Sequence, residues 1–392
     1  MAELSDLRQS IDAVDKKLVS LLNERANIAV SIGLAKRDAS HVHLPAREAA
    51  VYDKIAALNS GPLSRASLQS IYREIMSASK ALQRDISVAY LGPPGSYTHQ
   101  AAMSMFGRDS AGPRSTADAT APGGLTYTPQ DCIKSVFTAL AGGTTYAVVP
   151  FENSAFGSVQ ETLDALVCLP ENVFIRSTIV LPITHCLAVS AAGASMSFED
   201  VISSITRVYS HTQAFGQCSK FLESTFPSSK PPERVPTTST SQAAHIVASL
   251  PISSASICSP AAVDLYGLHC VKRGCQDTTE NCTRFLLLGK ETWGDRFKGG
   301  NKTLIRFTLD HREPGSLCDA LEIIKKHGIN LGKIDTRPSG QGLWHYVFFL
   351  EMQGHADDAN VRAALEELRV CCLGVRVLGS YPSGEEEVVS PA

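Results

Sequence analysis

The chain has 392 residues, 44% hydrophobic, 19% charged and 7% aromatic, which excludes a disordered polymer and leaves room for two to four domains. Lys and Arg number 36 against 39 Asp and Glu, a net charge of -3 that excludes a general basic surface for nucleic acid or anionic membrane. The start carries Glu3, Asp6 and Arg8 instead of a signal-peptide core, and no apolar run reaches the roughly 18–20 residues that span a bilayer, so a cytoplasmic protein is expected.

From Ser5 to about Lys36, Leu7, Ile11, Val14, Leu18, Leu21, Ile28 and Ile32 recur at steps of four and three, which predicts one long amphipathic helix. Pro and Gly at Leu44–Pro45 and Gly61–Pro62 set off two more helical stretches, Leu44 to Leu58 and Leu68 to Gln83. Residues 1–86 therefore read as an all-α module. The period changes at Ser87: Val88–Leu91 is a short strand, Gly92–Ser96 a turn, and a helix starts near Tyr97. Strands are expected at Tyr146–Pro150 and Ile179–Val189, a helix at Gln213–Leu222, and loops at Gly107–Thr126 and Phe226–Thr240. Residues 87–290 thus read as an α/β domain. After Trp293–Gly300, strands at Thr303–Phe307, Ile329–Ile334, Trp344–Glu351 and Val375–Leu378 alternate with helices at Leu317–Ile324 and Val361–Leu368. That βαββαβ order over 301–380 is an α+β, ferredoxin-like unit.

The 11 cysteines have spacings that match no zinc pattern, so no metal is expected. Their apolar neighbours, as at Cys168, Cys186 and Cys258, suggest reduced thiols filling a core.

In the first helix, Arg25 stands where the period calls for leucine, and Lys36 lies at about 20° from the same azimuth. Glu48 interrupts the second apolar stripe, and Ser79 and Gln83 continue the third. Inward polar groups need partners: either a salt-bridge network such as Arg25–Glu48, or a pocket for a small anion in the bundle core. Arg8 and Arg25 are about 25 Å apart along one helix, so a small ligand touching both takes one from a second chain. A helix of this length with few partners of its own also calls for a dimer.

Leu7-Arg8-x-x-Ile11-Asp12, Leu22-Asn-Glu-Arg25, Lys36, Arg47-Glu48 and Arg73-Glu-Ile-Met-Ser-Ala-Ser79-x-x-x-Gln83 resemble the all-helical chorismate mutases, which are intertwined dimers. The resemblance implies that Arg25 and Arg8 of the partner subunit grip the two carboxylates of chorismate. It implies that Lys36 and Gln83 donate to the breaking ether oxygen, and that Arg47, Glu48 and Ser79 complete the pocket, with Glu48 on a hydroxyl. Leu44 departs from a polar acidic residue of some members. A pericyclic rearrangement needs a held conformer and preorganised charge, not a nucleophile.

In the α/β segment, polar clusters follow apolar strands at Gly92-Pro-Pro-Gly-Ser96, Pro150-Phe-Glu152-Asn153-Ser154-Ala-Phe-Gly157, Ser210-His-Thr-Gln-Ala-Phe-Gly-Gln217-Cys and Asn281-Cys-Thr283-Arg284-Phe285. Open α/β sheets place ligands at such strand ends; each cluster taken singly also reads as a cap or turn, Ser96 as a helix cap. Together they resemble prephenate dehydratase, which implies two α/β lobes around a cleft, similar to periplasmic binding proteins. By that resemblance Thr283 assists protonation of the departing hydroxyl, positioning a proton more than supplying one. Ser96, Glu152, Asn153, Ser210 and Gln217 orient the substrate, and Arg284 either meets a carboxylate or braces the loop. Thr178 and Thr212 depart from a usual Glu and Pro, and His185 and His211 read as structural.

Pro314-Gly315-Ser316-Leu317 and Ile334-Asp335-Thr336-Arg337-Pro338 resemble the two effector motifs of ACT domains, with Asp-Thr where Glu-Ser is usual. These residues are expected to hold phenylalanine between paired chains; a purely structural dimerisation unit is the alternative. The order of segments is that of bifunctional enzymes of phenylalanine synthesis: chorismate to prephenate, then prephenate to phenylpyruvate, with no cofactor and with inhibition by phenylalanine through a closed, less active state. An arogenate-preferring dehydratase, or a phenylalanine sensor with one inactive centre, are the other readings.

Overall fold

The computed structural model describes residues 4–35, 45–83, 86–107, 125–226, 229, 231–278, 280–290, 300–340 and 342–383. Two compact units emerge: residues 1–88 with 103–127, and residues 89–102 with 128–392.

The first unit is built on α1 (Leu4–Ala35), α2 (Pro45–Leu58) and α3 (Arg65–Gln83). Pro45 opens α2 at a position whose N–H has no intrahelical partner anyway. The side chain of Asn59 organises the connection to α3, donating to Leu63 O at 2.7 Å and accepting from Gly61 N at 3.2 Å. Ser64 then caps α3 by accepting from Ser67 N. Both α1 and α2 pack on α3. Much of the stripe that predicted α1 is exposed, at Leu7, Ile11, Val14, Leu18, Leu21 and Ile28.

After α3 the chain continues with β1 (Ile86–Leu91), α4 (Tyr97–Phe106), β2 (Leu125–Gln130), α5 (Ile133–Ala141), β3 (Tyr146–Asn153), β4 (Gly157–Ser158), α6 (Gln160–Val167) and β5 (Phe174–Pro182). The chain then enters a second sheet through β6 (Cys186–Val189), α7 (Phe198–Ser204), β7 (Arg207–Ser210), α8 (Thr212–Gln217), α9 (Ser219–Thr225), β8 (Glu233–Pro236), α10 (Thr240–Ala248), β9 (Ser254–Cys258), α11 (Pro260–Leu265) and β10 (His269–Arg273). It returns to the first sheet as β11 (Cys282–Gly289).

The sheet orders are β2-β1-β3-β11-β5, with β4 beside β3, and β10-β6-β9-β7-β8. β1, β3 and β11 are near-continuous apolar runs because each is covered on both faces. The α/β region is therefore two-lobed, and the chain passes between lobes after β5 and after β10.

Three sequence expectations change here. The single strand expected at Ile179–Val189 is the end of β5 and the whole of β6, in different sheets, because Pro182 ends the first ladder. The helix expected at Gln213–Leu222 is two short ones, α8 and α9. The loop expected at Phe226–Thr240 contains β8, a parallel edge strand beside β7, where a proline at the strand end costs no central ladder bond. Of the loop expected at Gly107–Thr126, residues 108–124 lie outside the described residues.

The C-terminal sheet has the order β13-β14-β12-β15, from β12 (Asn301–Thr308), β13 (Leu331–Pro338), β14 (Tyr346–Gln353) and β15 (Gly374–Pro382). With α12 (Ser316–Lys326) and α13 (Ala359–Cys371), this is the ferredoxin-like order. The helices cover one face through Ile305, Phe307, Ile324, Leu350, Leu365 and Leu368. The other face contributes Leu304, Phe349, Leu378 and Tyr381 to the same core as Val149, Phe151, Leu163 and Leu288 of the first lobe. β13 runs on through Pro338, past the expected end at Ile334, and β14 starts at Tyr346, because Trp344 occupies a turn at φ 66°.

All eleven cysteines are free. Cys186, Cys218, Cys258, Cys275 and Cys372 are buried as expected, but Cys132, Cys168, Cys270, Cys318 and Cys371 are exposed, so core filling does not account for most of them. Among the described residues no helix is long and apolar enough to cross a membrane.

Candidate active sites

In the helical unit, α1 and α3 bring Arg25 and Ser79 together. The Arg25 guanidinium donates to Ser79 Oγ and lies 3.5 Å from Ile75 O, while Ser79 Oγ itself donates to Ile75 O at 2.7 Å. Ser79 is buried and Arg25 half-buried, so a charged fork sits in the bundle where the apolar stripe breaks. Arg8 is exposed on the same helix, far from this pair. Lys36 and Leu44, and the side chains of Arg47, Glu48 and Gln83, lie outside the described residues.

In the α/β region, β3 and β11 pair antiparallel with Asn153 opposite Thr283 and Glu152 opposite Arg284. The Asn153 amide nitrogen donates to Thr283 Oγ1 at 2.9 Å and to Asn281 Oδ1 at 2.8 Å, with Cys282 O at 3.2 Å. Its oxygen accepts from Ala155 N at 2.9 Å and Phe156 N at 3.1 Å, an Asx turn that fixes the amide. Thr283 Oγ1 therefore accepts, and no acceptor for its proton is found among the described residues.

The crossing at 183–185 carries the next group. His185 Nε2 meets Gln217 Oε1 at 2.6 Å, and its Nδ1 meets Tyr97 Oη at 3.0 Å. Burial lowers the His185 pKa, against the hydrogen bond with Gln217, so the ring is neutral at neutral pH and braces both partners. This agrees with the structural reading of His185; His211 caps α8 by accepting from Gln213 N.

Ser96 takes the helix-cap alternative, and Ser210 turns inward. Ser96 Oγ donates to Leu91 O at 3.1 Å and accepts from His99 N at 3.2 Å, so it caps α4. Ser210 is fully buried and donates to Ile257 O at 2.7 Å, which holds β7 to β9 instead of facing a ligand. The Gly92-Pro-Pro-Gly95 turn joins the lobes: Ser259 Oγ donates to Gly95 O at 2.7 Å and Tyr266 Oη to Pro94 O at 3.1 Å. Gly95 has φ 81°, and a Cβ there would lie 3.1 Å from the Ala262 backbone, so only glycine permits this approach.

Arg284 and Glu152 alternate away from the Thr283–Asn153 pair and are engaged elsewhere. Arg284 Nη2 bonds Glu152 Oε2 at 2.7 Å and Nη1 bonds Glu351 Oε2 at 2.6 Å. The expected contacts of Arg284 and Glu152 with substrate are thus replaced by ion pairs, the bracing alternative. Burial alone would lower the Arg284 pKa, but Glu351, Tyr381 and Glu152 outweigh it and the net shift is upward.

Sequence reasoning missed Glu351, Tyr381 and Lys333. Glu351 interrupts the apolar run Val347–Met352, and that buried carboxylate was the signal that a cation must meet it.

Of the residues expected to bind the effector, Gly315 begins α12 at φ 94° and Ser316 Oγ donates to Glu313 O at 2.7 Å, with Leu317 half-buried on the helical core. Asp335, Thr336, Arg337 and Pro338 lie within β13. Asp335 accepts from Ser158 Oγ at 2.9 Å, and Arg337 grips Asp164 of α6 through Nε at 2.5 Å and Nη2 at 2.8 Å.

Two α/β lobes with hydrogen-bonding groups at their crossing, preceded by a helical bundle with an inward arginine and followed by a ferredoxin-like domain, define a multidomain enzyme with a regulatory unit. Residues 7–84 match the family chorismate mutase type II, 88–292 prephenate dehydratase, and 303–370 the ACT domain. The chain is 39% identical to a bifunctional chorismate mutase/prephenate dehydratase of Aquifex aeolicus, covering 97% of this chain and 98% of that one. It is 36% identical to the enzyme of the same name from Pseudomonas aeruginosa, covering 97% and 98%. Its fold is similar to a prephenate dehydratase of Arthrobacter aurescens solved in complex with L-Phe, at TM-score 0.64 and 28% identity over 78% of this chain and 93% of that one. The chain belongs to the bifunctional chorismate mutase/prephenate dehydratase family and carries both catalytic domains and the ACT domain.

Proposed function

We propose that the helical unit binds chorismate with Arg25 and Ser79, joined by Lys36, Arg47, Glu48, Gln83 and Arg8 of the partner subunit. Arg25 meets a carboxylate, and the cationic and amide donors stabilise negative charge on the ether oxygen as its bond breaks. The exposed apolar stripe of α1 is the surface a second copy covers, which makes the protein at least a homodimer. Domain boundaries fall near residues 86 and 300.

In the second reaction, prephenate lies against the Asn153–Thr283 pair. The ring C–O bond breaks as a proton reaches the departing hydroxyl, the bond to the ring carboxylate breaks to release carbon dioxide, and its electron pair completes the aromatic ring. Asn153 holds Thr283 Oγ1 as an acceptor, so the threonine proton points to the leaving group. Gln217, braced by neutral His185, orients the substrate; Ser96 and Ser210 shape the frame. The observation that carries this reading is the 2.9 Å bond from Asn153 to Thr283.

Phenylalanine binds the ACT motifs, the ligand class seen with the Arthrobacter aurescens relative, and lowers dehydratase turnover. The protein acts in the cytoplasm. Thr283→Ala should remove prephenate turnover and spare the mutase, and Lys36→Ala the reverse; loss of both in folded Lys36→Ala protein refutes two separate sites.

A further inference from the structure

We propose that Lys333 and Glu351, both supplied by the C-terminal sheet, are positioning residues of the dehydratase site, and that strand β13 reaches Thr283 through them. The proposal rests on the roles assigned above to Asn153 and Thr283.

The Glu152–Arg284 cross-strand pair is one residue from the Asn153–Thr283 pair, on the same two strands. On the far side of Arg284, Glu351 is 2% exposed and also accepts from Tyr381 Oη at 2.8 Å, with Lys302 Nζ 3.9 Å from its other oxygen. On the far side of Glu152, Lys333 Nζ donates to Oε1 at 2.8 Å and to Ser158 Oγ at 2.6 Å, and lies 3.2 Å from Asp335 Oδ2. Ser158 Oγ in turn donates a hydrogen bond to the Asp335 carboxylate at 2.9 Å. Lys333 and Glu351 are themselves register partners on β13 and β14. Arg284 and Lys333 further both contact the Phe151 ring, 5.0 Å and 5.6 Å from its centre.

The chain of contacts thus runs Asp335, Lys333, Glu152, Arg284, Glu351, alternating in sign and ending at one side in an expected effector residue. Each interior member has a partner on both sides, so removing Lys333 takes one charge partner from Glu152 and from Asp335 and leaves Glu152 to Arg284 alone. The chain of paired charges links an expected effector residue to the two strands that carry Asn153 and Thr283. The Asx turn sets the Asn153 amide, and these ion pairs steady the β3–β11 pairing that holds it against Thr283.

The test uses the full-length chain with Lys333→Met, Lys333→Arg and Ser158→Ala, the last a small change that leaves every charge in place. Mutase rate, dehydratase kcat and KM, half-inhibiting phenylalanine concentration and calorimetric phenylalanine binding are measured for each. In Lys333→Met, kcat should fall about fivefold with KM within about twofold, and the half-inhibiting concentration should rise about tenfold while phenylalanine still binds. Lys333→Arg should recover most of both, and Ser158→Ala should move both in the Lys333→Met direction by less. An active wild type whose Lys333→Met variant keeps its kcat and phenylalanine response, or loses only thermal stability, overturns the positioning role alone. Loss of phenylalanine binding in Lys333→Met also overturns it, by placing Lys333 in the effector pocket. A wild type without prephenate turnover overturns both this proposal and the functional reading.

Discussion

Asn153→Asp is the most informative single change, because it keeps shape and turns one donor group into an acceptor. The turn is preserved, since an oxygen still accepts from Ala155 N and Phe156 N. The donor to Thr283 Oγ1 and Asn281 Oδ1, at 2.9 Å and 2.8 Å, becomes an acceptor facing two oxygens. Thr283 can then satisfy itself only by donating its proton to the new carboxylate, which withdraws it from the leaving group. Removing an oriented donor of this kind costs about 10²–10³ in kcat, or about 2.7–4 kcal/mol. Asn281 is 4% exposed and Thr283 9%, so leaving their oxygens unpaired costs a further ~1–3 kcal/mol of stability. Steady-state prephenate turnover across pH is the assay, with the mutase rate of the same sample as control. Turnover should fall at least about 10²-fold at neutral pH with KM little changed. It should recover in part as pH drops toward the ordinary carboxyl range near 4, where the protonated acid donates again. A variant within threefold of wild type, or a loss equal at all pH values, refutes the orientation argument.

Arg25→Ala should lower the mutase rate about 10²-fold or more with prephenate turnover intact, because it removes a placed charge; retained mutase activity counts against the pocket. Tyr381→Phe removes the 2.8 Å bond to buried Glu351 and should cost ~1.5–3 kcal/mol in denaturant unfolding. Arg337→Ala breaks a half-exposed, solvent-screened pair with Asp164 and should cost no more than about 1 kcal/mol, less in high salt. Burial would raise the Glu152 pKa, but Lys333 and Arg284 outweigh it and hold the carboxyl below its ordinary 4.5. Its contribution is therefore full above that value and lost as pH falls through the lowered one, so Glu152→Gln should flatten the acid limb of a stability profile.

Periodic features were legible in the sequence because each is written locally. The stripe of α1, the βαββαβ order and the break at Arg25 and Ser79 need only neighbouring residues to be seen. Long-range features were not, because their partners lie far away in the chain. Asn153 and Thr283 belong to different motifs, and only antiparallel pairing of β3 with β11 sets them 2.9 Å apart. Arg284 pairs with Glu351 through the packing of the C-terminal sheet on the first lobe, so spacing offered a substrate carboxylate equally well. Ser210 carried a motif yet is spent within its own sheet. The split of β5 from β6 was hidden because both halves are apolar, and β8 because its segment is proline-rich.

The central claim is that one chain carries two separate catalytic sites under one effector domain. Purified full-length protein given chorismate alone, with no added cofactor, tests it by following chorismate, prephenate and phenylpyruvate together. Prephenate should appear first, then phenylpyruvate, with phenylalanine slowing the second step. Protein that consumes neither chorismate nor prephenate, or whose second step ignores phenylalanine at every concentration, would contradict the account.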